Sequence, residues 1–199
     1  MIAIIDYGMG NLRSVQKALE AVGAEACITS DEMVLRAAAK IVLPGVGAMR
    51  PAMERLKETG LVQRIHKEVA LGKPFLGICL GYQLLFEKST EGGAVKGLGL
   101  LSGTVEKFSD TVKVPQMGWN RISPVARHAT MFKGIGEDPF VYFCHSYYVV
   151  PKDASVVAAW TDYGVRYASA VRRDNVWGLQ FHPEKSQGVG LGILRNFVN

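Results

Sequence analysis

The stretch that decides the fold is Pro74-Phe75-Leu76-Gly77-Ile78-Cys79-Leu80-Gly81-Tyr82-Gln83-Leu84-Leu85-Phe86. Pro74–Ile78 reads as a short apolar strand. A Gly-x-Cys-x-Gly turn follows, and Tyr82–Phe86 reads as a helical run. Strand, tight turn and helix is the setting of a nucleophile elbow, here with cysteine at its apex. The spaced glycines allow a sharp backbone turn, which is expected to leave the sulfur exposed at the helix start. Backbone N–H groups and the helix dipole favour the thiolate there. A buried structural cysteine at a strand end is the plainer alternative.

Outward from this stretch the pattern alternates. Ile2–Asp6 is a strand-type run, and Leu12, Val15, Leu19 and Val22 then recur at helical spacing up to Gly23. Ala26–Thr29 and Ile41–Leu43 read as buried strands, and Leu61, Ile65 and Val69 as a helix stripe ending at Gly72. Strands alternating with helices imply a parallel sheet covered on both faces. The second half carries the short strand-like runs Thr104–Phe108, Trp119–Ile122, Phe140–Phe143, Val156–Trp160 and Ala168–Val171. Asp174-Asn175 reads as a hairpin turn before Val176–Phe181, and a helix is expected near Leu191–Phe197. The expected fold is α/β, three-layer, with a mixed, mostly parallel sheet. No linker or repeat divides residues 1–199, so a single domain is expected.

Composition narrows the function. At 48% hydrophobic and 21% charged residues, the chain is globular rather than disordered. Three cysteines without a CxxC pair argue against a disulfide framework or a zinc site and for a reducing compartment. No targeting segment is read, and the uncharged run Pro74–Phe86 is too short to span a bilayer, which needs about 20 apolar residues. A cytoplasmic protein without membrane contact is therefore expected. The net charge of +5 comes from scattered lysines and arginines. That suits a solvated face or an acidic partner better than nucleic acid.

A thiolate nucleophile needs a base, and the base an orienter. Of four histidines, His66 and His128 sit in charged or polar surroundings and read as surface. His145 follows a strand and stays open as a core or site residue. His182 ends a strand and begins His182-Pro183-Glu184. Proline holds the preceding residue extended, and residues two apart then share a side, so Glu184 is placed to orient the His182 ring. With Cys79 these make a triad hypothesis. Leu43-Pro44-Gly45-Val46-Gly47, just past a strand, reads either as an ordinary turn or as an oxyanion wall facing the cysteine. Tyr7-Gly8-Met9-Gly10-Asn11 lacks the full GxGxxG spacing, so no dinucleotide site is expected.

Gly77–Gly81 together with His182-Pro183-Glu184 resembles the class I (triad) glutamine amidotransferases. Within them the chain resembles the glutaminase subunits of imidazole glycerol phosphate synthases. The marks are Asp6–Asn11, Pro44–Gly47, Pro115-Gln116-Met117-Gly118-Trp119-Asn120, Tyr142–Tyr147 and Gln180–Gln187, in the family's order across nearly the whole chain. Two positions depart: Gln116 stands where histidine is expected, and Tyr82 where methionine is common. The resemblance implies a class I amidotransferase-like (flavodoxin-like) fold, hydrolysis of L-glutamine, and no cofactor or metal. It implies passage of ammonia to a separate (β/α)8-barrel synthase subunit in a heterodimer. There the ammonia reacts with a phosphoribulosyl aminoimidazole carboxamide nucleotide in L-histidine biosynthesis. The products are imidazole glycerol phosphate and aminoimidazole carboxamide ribotide.

The same resemblance assigns catalysis to Cys79, His182 and Glu184. It places the oxyanion and substrate contacts at Gly45, Val46, Gly47, Leu80, Gln83, Glu91, His145, Ser146 and Tyr147, and the partner interface at Asn11, Trp119 and Lys185. Two alternatives accompany it. One is the glutaminase subunit of another amidotransferase, such as that of pyridoxal phosphate synthesis. The other is a catalytically silent docking subunit.

Overall fold

The computed structural model describes residues 1–199. Strands β1 (Ile2–Ile5), β2 (Ala26–Thr29), β3 (Lys40–Gly45), β4 (Phe75–Cys79) and β14 (Val176–Leu179) form a parallel block in the order β2-β1-β3-β4-β14. Along β1 the side chains alternate between two cores. Ala3 and Ile5 join Leu35, Leu56, Leu61 and Ile65 on one face, and Ile2 and Ile4 join Val15, Leu19, Ile193 and Phe197 on the other. The first face is covered by helices α2 (Glu32–Ala37), α3 (Met49–Glu58) and α4 (Leu61–Ala70). The second is covered by α1 (Leu12–Ala21) and α6 (Gln187–Val198). The architecture is thus three-layer α/β around a mixed sheet whose parallel block forms one end, with β2 at the edge. No helix is long and apolar enough to cross a membrane.

The remaining strands extend the sheet beyond β14. They are β5 (Phe86–Ser89), β6 (Val95–Lys96), β7 (Leu101–Lys107), β9 (Ser123–Pro124), β11 (Tyr147–Pro151), β12 (Val157–Tyr163) and β13 (Val165–Arg173). The order continues β14-β13-β11-β7-β5-β6, with β12 on β13 and β9 on β12. Antiparallel β13 and β14 pair Arg173 with Val176 across Asp174-Asn175, the turn expected there. A separate ribbon pairs β8 (Gln116–Arg121) with β10 (Phe140–His145).

One expectation fails at the elbow. The helix after Cys79, α5, covers only Leu80–Gln83, and a strand begins at Phe86. The carbonyls that would extend the helix are taken elsewhere: Leu84 accepts from the Leu98 N–H, Leu85 from Leu101 and Phe86 from Gly99. Tertiary pairing overrides the local helical pattern. Tyr82 is fully buried, lies against Gly178 and donates its hydroxyl to the Ala168 carbonyl at 3.0 Å. This departure from the family pattern is therefore a core substitution.

The elbow glycines also act differently than expected. The positive φ belongs to Cys79 itself, at 54°. Gly77 and Gly81 are instead required by close packing: a Cβ on Gly81 would lie 1.8 Å from the Leu43 carbonyl oxygen, and one on Gly77 2.6 Å from that of Gly81. Gly81→Ala must therefore push the elbow away from β3. It is expected to cost at least about 3 kcal/mol, the upper end for overpacking, read as a lowered denaturation midpoint. A variant as stable as the parent would show that the elbow can shift freely.

Candidate active site

The carboxyl ends of the parallel strands converge, as ligand sites in such sheets do. Gly45 at the end of β3 pairs with Cys79 at the end of β4, and β14 continues through Gln180 to His182. Here they border a cavity of about 300 Å³. Its lining brings together Val46, Gly47, Cys79, Leu80, Gln83, Glu91, His145, Ser146, Tyr147, His182 and Lys185. Gly45 lies behind this wall, against a small crevice that it shares with Asn11, His182 and Glu184. Trp119 stands outside the cavity, half exposed on the β8–β10 ribbon.

Cys79 is buried, 6% exposed, rather than projecting into solvent. Its Sγ lies 3.8 Å from the Cys144 carbonyl oxygen and 4.0 Å from Gln180 Nε2. His182 is equally buried and its Nδ1 lies 2.8 Å from Glu184 Oε1. The route differs from the extended one expected. His182 is extended, but Pro183–Lys185 form a 3-10 turn, which curls Glu184 back under the ring. The Glu184 side chain is only 1% exposed, and its Oε2 has no protein hydrogen-bond partner.

Burial alone would lower the His182 pKa. Hydrogen bonds and charge from Cys79 and Glu184 outweigh it and raise the ring to about 10. A raised pKa in the folded state means that the imidazolium's stabilisation is complete below the unfolded value of about 6.5. It is lost as pH rises through about 10. Because Cys79 is the larger of the two opposing influences, Cys79→Ala is expected to lower the His182 pKa by more than one unit, read by NMR titration. A His182 that still titrates near its parent value in that variant would mean that Glu184 alone holds the proton.

Around this pair the polar side chains are already engaged. Gln83 Nε2 donates to the Tyr147 carbonyl at 2.8 Å and to Gln180 Oε1 at 3.1 Å. Glu91 Oε2 accepts from the Met49 N–H at 2.7 Å, at the start of α3. Gly45 is pressed on one side by the Tyr7 hydroxyl, where a Cβ would stand 2.5 Å away, while Gly47 takes the left-handed φ of 94° that favours glycine. His66 is exposed, and His128 Nε2 meets the Ser155 carbonyl oxygen at 2.9 Å. Gln180 and Cys144 are site residues that the sequence reading missed. Gln180 was findable, since it precedes His182 by two on an extended segment and so shares its side.

A family model, glutamine amidotransferase class-I, matches residues 3–199. The chain belongs to the class I glutamine amidotransferases. It is 55% identical over 204 residues to imidazole glycerol phosphate synthase subunit HisH of Syntrophotalea carbinolica, covering 99% of this chain and 98% of that protein. It is 53% identical over 195 residues to the subunit of the same name from Aquifex aeolicus, covering 98% and 94%. Among solved structures it resembles PurLQS from Thermotoga maritima, with a TM-score of 0.79, 24% identity and coverage of 100% and 97%. A crystal structure of a glutamine amidotransferase gives a TM-score of 0.76 at 20% identity, covering 100% of both chains. At these identities the structures speak for the fold. In this amidotransferase the fold therefore brings Cys79, His182 and Glu184 together from the ends of two neighbouring strands, β4 and β14.

Proposed function

We propose that this chain is the glutaminase subunit of an imidazole glycerol phosphate synthase, acting through Cys79, His182 and Glu184. The supporting observation is the buried constellation itself: a thiol at a strained elbow, an imidazole whose proton it favours, and a carboxylate 2.8 Å from that imidazole. The Cys79 thiolate attacks the side-chain amide carbon of glutamine. The oxyanion forms beside the Leu80 N–H at the start of α5 and the backbone of Gly45–Gly47; one such donor is worth about 3–4 kcal/mol. His182 gives its proton to the departing ammonia as the C–N bond breaks. It then takes a proton from the water that cleaves the thioester, releasing glutamate and the thiolate.

The relatives are called subunits, and this chain acts as one, in the cytoplasm. Its partner is a (β/α)8-barrel synthase that receives the ammonia. The docking face we assign lies beside the cavity, whose lining includes Lys185. Met117, Trp119 and Phe140 are exposed on the β8–β10 ribbon, Trp119 packs edge-on against Tyr142, and the Lys185 ammonium sits 5.8 Å over the Tyr142 ring. Asn11 lies apart, on the small crevice behind the Gly45–Val46 wall. Trp119→Ala is expected to weaken the complex by about 2 kcal/mol or more, as an aromatic anchor does, and charge reversal at Lys185 to weaken it further. Titration calorimetry with the barrel subunit checks both, and unchanged affinity would remove the ribbon from the interface.

Steady-state glutaminase kinetics test the whole reading on the free chain, on the complex, and on the complex with its nucleotide ligand. Glutamine-dependent product formation in the complex is the expected result, with turnover rising along that series. Equal turnover in all three would show that neither the partner nor its ligand activates the site. No hydrolysis in any would overturn the assignment.

A further inference from the structure

A buried polar chain reaches the cavity wall from a residue that the mechanism does not use. Gln116 opens β8 directly across from His145 on β10, and both are buried. Tyr167 lies between them: its hydroxyl is 2.9 Å from the Gln116 amide oxygen and 3.2 Å from His145 Nε2. On the far side of the imidazole, Nδ1 lies 2.7 Å from the Tyr147 carbonyl oxygen, the same carbonyl that accepts from Gln83.

Proton counting restricts this chain. A carbonyl only accepts, so His145 Nδ1 must carry a hydrogen. Burial first, and then the positive charge of His182, lower the His145 pKa to about 4, so the ring is neutral and Nε2 is a bare acceptor. Nε2 therefore needs the Tyr167 proton. Tyr167 has one proton. With Gln116 Oε1 facing Tyr167, that proton is drawn to the amide, His145 Nε2 goes without a donor, and Gln116 Nε2 is left as a buried donor with no partner. Thr161, beside Tyr167, gives its own proton to the Arg121 carbonyl. Turning the Gln116 amide by 180° changes no shape and removes both donor defects. The amide N–H then donates to Tyr167, Tyr167 donates to His145, and His145 donates to Tyr147.

We propose that Gln116 is a positioning residue whose amide faces Tyr167 nitrogen-first. It starts a one-way hydrogen-bond chain, Gln116 to Tyr167 to His145 to the Tyr147 carbonyl, that sets the His145 tautomer and holds the substrate wall. The role in glutamine binding rests on the function proposed above; the direction of the chain does not. Gln116 lies outside the cavity lining, so its influence passes through Tyr167 and His145.

The test separates the two. In the full chain with 15N-labelled histidine, His145 is expected as the neutral Nδ1–H tautomer with Nε2 accepting a hydrogen bond. Tyr167→Phe should remove that bond and move the Nε2 resonance toward the free-acceptor position. Gln116→Glu keeps shape but can only accept at neutral pH. It should capture the Tyr167 proton, drive His145 to bind a proton at Nε2 and raise its titration above the parent's. In the complex with the barrel subunit, Gln116→Glu should raise KM for glutamine about tenfold, the size of one lost buried hydrogen bond, with kcat changed less than about twofold. Gln116→His, which restores a planar N–H donor, should return both the His145 signature and KM toward the parent. If Tyr167→Phe and Gln116→Glu leave the His145 resonances unmoved, the amide faces oxygen-first and the proposal is overturned. If the resonances move as stated and KM does not, the chain stands but its role in the substrate wall fails. The resonances are read without catalysis, so an inactive complex would count against the glutaminase reading alone.

Discussion

Replacing Cys79 by alanine is expected to abolish glutamine-dependent turnover, by about 10⁴-fold or more, as loss of the nucleophile from a concerted triad does. The fold should survive. Cys79 is buried among apolar residues, so the change removes one sulfur atom, and its elbow backbone is held by β3 and β14 on either side. The circular dichroism spectrum and melting midpoint are the controls. The complex supplied with ammonium salt should still make product, because only the release of ammonia has been lost. Cys79→Ser should fare little better, because a hydroxyl is a far weaker nucleophile than a thiolate. Glutamine-dependent turnover persisting in the alanine variant would show that another group attacks the amide.

How far this site was legible can be followed residue by residue. The parallel block was open to reading because each strand is a short apolar run bounded by a helix stripe, as at Ile2–Asp6 before Leu12. The grouping of Cys79, His182 and Glu184 was open because they sit in motifs with backbone consequences, a Gly-x-Cys-x-Gly turn and a His-Pro-Glu strand end. What stayed hidden depends on distant partners. The elbow helix stops at Gln83 because the segment Leu98–Leu101 takes its carbonyls, and no local propensity announces that. Helix α3 was passed over, although its Pro51 falls in the first turn, where no intrahelical N–H is needed. The link between Gln83, Gln180 and Cys79 joins β4, α5 and the end of β14. A buried glutamine carries no periodicity of its own. Even the elbow glycines mislead locally, since each is required by a backbone carbonyl pressed against it, that of Leu43 for Gly81 and that of Gly81 for Gly77.

Glu184→Gln is expected to lower kcat by roughly 10³–10⁴-fold and also to lower stability, by up to about 3 kcal/mol. The rate estimate follows the loss seen when a triad carboxylate becomes its amide. Shape is kept, so packing is not the issue. The carboxylate accepts the His182 Nδ1–H through one oxygen and leaves the other without a protein partner, on a side chain 1% exposed. Removing one partner of a buried pair leaves the other charge poorly compensated. The folded state therefore loses stability as the chemistry is harmed. Without it, the imidazolium loses one of the two influences that raise it to about 10, and the thiolate loses the cation that it faces. The amide can also turn its nitrogen toward Nδ1, which would push the ring into the wrong tautomer. The two measurements are single-turnover hydrolysis of glutamine and a denaturation curve. A kcat within tenfold of the parent would demote Glu184 to a packing residue. A variant as stable as the parent would mean that the cost of burying a carboxylate with one unpartnered oxygen cancels its attraction for His182.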